Sequence, residues 1–229
     1  MSDYRSVFPK KHIFLAVVHV ETEAQALRNA CIATDEGADG IFFINHWISY
    51  NRLLEYYRSA REKLPDFWIG LNCLDLGKAA LSFIPEDTAG LWVDNAGINE
   101  SLAPVAEARE FSELRKTSKW QGIYFGGVAF KYQGAVADVT NVAKLAMPFV
   151  DVITTSGAGT GVAADVAKIR TMKEAIGDHP LAIASGITPE NVQDYMPYAD
   201  CFLVATGVSD SHTELNPGKV RQLVQAINK

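Results

Sequence analysis

His19, Asp94 and Lys131 each close an apolar run, Ile13 to His19, Gly90 to Asp94 and Gly122 to about Lys131, and these are the residue types that move protons or hold anions. A carboxylate at the end of a buried run is costly unless it is paired or used, and an imidazole titrates nearest neutrality. Asp94 and His19 are therefore the candidate acid–base pair, and the plain alternative for Asp94 is a cap on the loop that follows it. Lys131 offers a cation to an anion, to a Schiff base or to an acid step. Nucleophilic use would require a depressed pKa that no sequence displays, so pairing with a phosphate or carboxylate is the expected role, with a solvated surface position as the alternative.

A second group is rich in glycine and hydroxyls. Thr155-Ser156-Gly157-Ala158-Gly159-Thr160-Gly161 follows one apolar run, Ser185-Gly186 follows the next, and Thr206-Gly207 follows the last. Glycines let backbone N–H groups approach an anion closely, and helix starts add partial positive charge. Singly, such glycines usually shape tight turns. Three adjacent turns of this kind predict a phosphate cradle made of Ser156, Gly157, Gly159, Thr160, Gly161, Ser185, Gly186, Thr206 and Gly207. Asn45 and Asn72, which also end apolar runs, are candidates for holding hydroxyls or a base edge of a ligand.

These residues need a frame that brings run ends together. The runs Ile13–His19, Gly40–Asn45, Phe67–Asn72, Gly90–Asp94, Gly122–Lys131, Asp151–Thr155, Leu181–Ser185 and Cys201–Thr206 read as strands buried on both faces. Between them lie helical segments: Thr22–Glu36, Ser49–Leu64, Leu74–Phe83, Ser101–Thr117, Ala135–Met147, Ala163–Ile176, Pro189–Met196 and Pro217–Ile227. Eight strand–helix units with no strand left over predict a single α/β domain over residues 1–229, a (β/α)8 TIM barrel with eight parallel strands. The runner-up is an open doubly wound sheet, which more often has five to seven strands and a glycine fingerprint after the first.

Composition narrows the function classes. With 229 residues and 48% hydrophobic content the chain can bury one large core, and its net charge of −6 without a basic cluster speaks against nucleic acid and anionic membranes as partners. The start of the chain lacks a secretory core and no run is long enough to span a bilayer, so a cytoplasmic protein is expected. Cys31, Cys73 and Cys201 are odd in number and far apart, which predicts free thiols and no structural zinc. His19 and His46 could meet Asp94 across the mouth of a barrel in a grouping suited to a metal. Neither belongs to a ligand motif such as His-x-His or His-Glu-x-x-His, and no metal or cofactor is expected.

Val17-Val18-His19, Gly70-Leu71-Asn72, Lys131, the Thr155–Gly161 run and Ser185-Gly186-Ile187-Thr188-Pro189-Glu190-Asn191-Val192 together resemble the BtpA-like family. The C-terminal third carries the most specific part, and weaker matches extend over nearly the whole chain. The resemblance implies a phosphate-binding TIM barrel, linked in photosynthetic bacteria to photosystem I accumulation, with no agreed reaction and no catalytic set to carry over. The sequence departs from the family after His19, where Val20-Glu21-Thr22-Glu23 leads straight into a helix. It departs again at Ile44, at Phe130 and Tyr132 around the lysine, and at Asp94, where relatives tend to have Asn.

The expected activity is that of an isomerase, a lyase or a nucleosidase-type enzyme acting on a small phosphorylated ligand, a sugar phosphate or a nucleotide-like compound. A homo-oligomer is left open. The alternative is a non-catalytic assembly or stability factor of the BtpA type. It would need an exposed aromatic patch, for which His46-Trp47-Ile48-Ser49-Tyr50 with Tyr56 and Tyr57 is the one source, although burial of these rings against the barrel is the plainer expectation.

Overall fold

A computed structural model describes residues 3–98, 105–134 and 136–229. Eight parallel strands close into a barrel in chain order: β1 (Ile13–Val20), β2 (Gly40–Asn45), β3 (Ile69–Asn72), β4 (Gly90–Val93), β5 (Ile123–Gly127), β6 (Val152–Thr155), β7 (Leu181–Ile183) and β8 (Cys201–Val204). The barrel closes where Ile13 to Ala16 of β1 pair with Cys201 to Val204 of β8. The TIM-barrel expectation therefore holds.

The helices around it are α2 (Glu23–Asp35), α3 (Tyr50–Lys63), α4 (Ala106–Thr117), α5 (Val139–Ala146), α6 (Val166–Ile176), α7 (Val192–Tyr195) and α8 (Pro217–Ile227). The predicted helix starts at Ser101 to Pro104 and at Ala135 lie outside the described residues. Leu74–Phe83 shortens to a 3-10 turn over Gly77–Ser82. The expected fifth strand also ends early, at Gly127 rather than Lys131. Ala129 and Tyr132 take positive φ, 47° and 63°, and such backbone cannot continue a strand. Lys131 thus stands in a loop beyond the sheet.

Alternation along each strand divides two cores. Ile13, Leu15 and Val17 of β1, Phe42 and Ile44 of β2, Trp92 of β4 and Leu203 of β8 belong to the cluster that fills the barrel. Phe14, Ala16 and Val18, Ile41 and Phe43, Leu91 and Val93 belong to the larger cluster under the helices. A period of two is what a strand buried on both faces requires, and it decides which run ends face the interior.

The floor of the barrel is closed by a short helix that the sequence reading missed, α1 (Tyr4–Val7), capped by the Asp3 carboxylate, which accepts from Ser6 N at 3.0 Å. Four residues are too few for any periodicity to register. Tyr4 stacks on Phe8 (5.3 Å between centroids) and Phe8 on Trp68 (5.4 Å), and the Trp68 ring meets Phe42 and Phe125 at 5.1 and 6.0 Å. Trp68→Ala should therefore lower stability by about 3 kcal/mol, the lower end for removing a large aromatic because Trp68 is only partly buried. Chemical denaturation measures this; an unchanged midpoint would show that Trp68 does not plug the barrel. All three cysteines are free. Among the described residues no helix is long and apolar enough to cross a membrane.

Candidate active site

A cavity of about 250 Å³ opens at the C-terminal ends of the strands. Its walls are largely apolar, including Val17, Ile44, Leu74, Trp92 and Leu203. Into them project His19, His46, Asp94, Lys131, Thr160, Ser185 and Thr206. His19, His46, Trp92 and Asp94 get there by parity, since each continues the inward-facing set of its strand.

Asp94 is held by Asn72, whose Nδ2 donates to Oδ1 at 3.0 Å. Burial pushes its pKa up, while the Asn72 hydrogen bond and the charge of Lys131 pull it down less. In the described part of the loop that follows, Gly97 N donates to Asn95 Oδ1 at 2.8 Å, and Asp94 lines the cavity. Lys131 faces the same space, its ammonium 5.4 Å from the Phe130 ring. Burial lowers its pKa and Asp94 partly restores it.

The loop that carries Lys131 is tightly tied. Lys131 N donates to Ser156 Oγ at 2.7 Å, Gln133 Nε2 donates to Asp94 O at 2.7 Å, and Lys168 Nζ donates to Ala129 O at 2.6 Å and Ser156 O at 2.8 Å. Lys168, on α6, binds carbonyls and no carboxylate, and burial takes its pKa down to about 8. Its bonds run across two loops, so its role became visible only on folding.

Several sequence expectations need correction. Asn45 faces away from the cavity because it has the opposite parity to Ile44. Its Nδ2 donates to Ile48 O at 3.0 Å and Asp75 Oδ1 at 2.8 Å, and its Oδ1 accepts from Leu74 N at 2.7 Å, so it braces the loop bearing His46. Asn72 serves Asp94 and does not line the cavity. Ser156, bonded to Lys131 N, and Gly157 and Gly159 likewise lie outside the cavity lining.

The glycine cradle divides in the same way. Gly161, Ser185, Gly186, Thr206 and Gly207 do line the cavity together with Thr160. At Gly186, φ is +64° and a Cβ would lie 2.2 Å from Ala163 N, so this glycine is required by the approach of two loops. At Gly157 and Gly207 a Cβ would meet the carbonyls of Val162 and Ile187 at 2.2 and 2.0 Å. Close packing between backbones by itself requires glycine at these three positions.

His46 meets His19, as the sequence suggested, and His212 joins them in a way the sequence did not reveal. The His19 ring stacks on His212 (4.0 Å between centroids) and lies 4.7 Å from His46. His212 comes from the loop after β8, pinned to α2: Asn29 Nδ2 donates to Thr213 O at 3.0 Å, Asn29 Oδ1 accepts from Leu215 N at 2.7 Å, and Gln25 Nε2 reaches both Thr213 O and His19 O. Burial, then the neighbouring His212 and His46, push His19 down to about 3, so it is neutral in ordinary buffers. Its Nδ1 is buried and has no hydrogen-bond partner among the described residues, and the same is true of Trp92 Nε1. Alternation along β4 was the signal that placed Trp92; nothing in the sequence placed His212.

Of the aromatic segment expected to bury against the barrel, Tyr50, Tyr56 and Tyr57 do pack there and Trp47 does not. Tyr57 is buried, but Trp47 is 61% exposed, beside His212 at 4.9 Å, and Tyr132 is 80% exposed. The Tyr132 hydroxyl lies 3.3 Å from Thr160 Oγ1 over the cavity mouth.

The BtpA family model matches residues 128–229, from the end of β5 to the C-terminus. The N-terminal motifs at His19 and Asn72 fall outside that match. A search of curated proteins finds no match. Among solved structures, phosphoribosyl anthranilate isomerase from Thermus thermophilus is similar at 18% identity and TM-score 0.66, over 94% of this chain and 98% of that one. (S)-3-O-geranylgeranylglyceryl phosphate synthase from Thermoplasma acidophilum, in complex with sn-glycerol-1-phosphate, is similar at 14% identity and TM-score 0.69, over 99% of each chain. Phosphoribosyl anthranilate isomerase in complex with reduced 1-(o-carboxyphenylamino)-1-deoxyribulose 5-phosphate gives 14% identity and TM-score 0.67, over 95% and 98%. At these identities the likeness is one of fold.

Proposed function

We propose that this chain, whose C-terminal part resembles the BtpA family, binds a small phosphorylated ligand in the cavity at the strand ends and acts on it as an enzyme. The observation that carries the reading is an apolar-walled cavity, open at the strand ends, whose lining residues His19, Trp92 and Lys131 carry polar atoms without protein partners among the described residues. His19 Nδ1 and Trp92 Nε1 are buried and unbonded, and Lys131 Nζ has no ion pair or hydrogen bond among the described residues. Buried polar groups without partners cost about 1–3 kcal/mol each, and a bound ligand that pairs with them removes that cost.

Support for phosphate comes from position. Gly161, Ser185-Gly186 and Thr206-Gly207 lie after β6, β7 and β8, where barrel enzymes recurrently bind phosphate, and Lys131 supplies the nearby cation. Structural neighbours carry sn-glycerol-1-phosphate and a deoxyribulose 5-phosphate compound. Asp94, desolvated and set by Asn72, is the group suited to proton transfer. Lys131 would stabilise developing negative charge, and neutral His19 would hydrogen-bond the ligand. The reaction classes this serves are isomerisation, lyase chemistry and glycosidic-bond cleavage.

The exposed Trp47 and Tyr132 favour a second reading, docking of a protein partner by a BtpA-type assembly factor. Thermal shift against phosphorylated sugars and nucleotides separates the two. Enzyme–ligand binding predicts stabilisation that Lys131→Met weakens by about 10- to 150-fold in affinity, the equivalent of one charged hydrogen bond of about 1.5–3 kcal/mol. Stabilisation by none of these compounds, with capture of a partner instead, would favour docking. Gly186→Val is a poor probe of the cradle, because it would collide with Ala163 before any ligand binds.

A further inference from the structure

We infer that His19, His46 and His212 form a binding site for a divalent first-row transition ion, with Zn²⁺ the best match to an all-imidazole set. Their ligand atoms lie within 4.8 Å of one another, and no ion is present. A tetrahedral ion with Zn–N bonds of about 2.0–2.1 Å needs ligand nitrogens roughly 3.3 Å apart. Closing that difference asks His46 to rotate and His212 to tilt out of its stack on His19 so that its in-plane lone pair points at the ion; both are exposed and on loops, while His19 is fixed in β1.

Two observations bear on this site independently. His19 is only 7% exposed, yet its Nδ1 has no hydrogen-bond partner among the described residues, and a buried imidazole left so needs a partner that a bound ion can supply. The two loops are built to present the other rings. Asn45 uses its amide to tie the segment that carries His46 to the loop after β3, and buried Gln25 and Asn29 reach from α2 to hold Thr213 and Leu215, which lie just after His212.

Three of the five histidines in the chain converge here. His19 and His46 also line the cavity, so a three-imidazole ion would keep an open coordination position toward it, as catalytic rather than structural sites do. The inference stands apart from the phosphate reading, because metal uptake is measured with no phosphorylated ligand present.

The test is titration of untagged, chelator-stripped protein with Co²⁺, followed by the visible bands of low-coordinate cobalt, and then displacement by Zn²⁺. A single equivalent should bind to the parent and to His12→Gln alike, since His12 sits at the opposite end of the barrel with Nδ1 3.0 Å from Ala199 O. His46→Ala and His212→Ala, both at exposed positions whose loss should leave the circular dichroism spectrum unchanged, should each weaken binding by more than about 100-fold, the upper loss for a mere supporting residue. Absence of uptake by folded parent protein, uptake that survives either substitution, or equal loss in His12→Gln would each overturn the site and leave the cluster as a stack of neutral rings.

Discussion

Asp94→Asn is expected to lower the chemical rate by about 100- to 10,000-fold while changing ligand affinity little. Asparagine keeps the size of the side chain, and its oxygen can still accept from Asn72 Nδ2, so the hydrogen bond that positions the group survives. What is lost is the titrating proton. The measurement is single-turnover kinetics on the phosphorylated compound identified by thermal shift. Stability supplies a second readout with a defined sign. The folded-state pKa of Asp94 is raised by burial, so the folded protein binds this proton more tightly than the unfolded chain does. That contribution is fully present below the unfolded pKa and is lost as pH rises through the folded one. The parent should therefore gain stability relative to Asp94→Asn as the medium is acidified through that window. A variant that turns over normally would remove Asp94 from the chemistry, whatever its effect on melting.

Asp151→Ala is expected to do the reverse, costing about 3–5 kcal/mol of stability while leaving ligand affinity intact in whatever protein remains folded. Arg115 is buried, and its Nη2 donates to Asp151 Oδ2 at 2.5 Å while the guanidinium lies over the rings of Tyr124 and Trp120 at 5.0 and 5.5 Å. The same carboxylate oxygen accepts from Tyr124 N at 2.7 Å. Removing the carboxylate strands a buried cation whose Nε already lacks a partner, and orphans a backbone amide as well. Urea denaturation reads the loss directly, and a midpoint within error of the parent would show that Arg115 finds another partner. Together the two substitutions test a division of labour in which the N-terminal ends of the strands hold the barrel and the C-terminal ends carry the chemistry.

Much of the fold was legible because local patterns determine it. Gly40–Asn45 was read to the residue, and the two helices ending at Glu36 and Leu64 were read to within one or two, because runs buried on both faces and amphipathic segments with clear stops leave little choice. The errors fall where local pattern gives way to context. β5 was extended to Lys131 since Val128, Ala129 and Phe130 are apolar, but a loop tied by Ser156, Lys168 and Gln133 turns away there. α1 was missed because it exists only by packing beneath the barrel.

For the site, the sequence by itself determined which strand ends could contribute, and parity could have refined this further. Counting by twos from Val17 keeps His19, and from Phe42 it keeps Ile44 and His46 while rejecting Asn45. What only the tertiary structure decided is how side chains far apart in the chain meet. His212 stands over His19 because Gln25 and Asn29 clamp a loop about 184–188 residues away, and Gly186 is a glycine because Ala163 comes within reach of it. The physical reason is that secondary structure is written in short-range periodicity, whereas the chemistry of a barrel mouth is assembled from loops whose positions follow from closing eight strands into a ring.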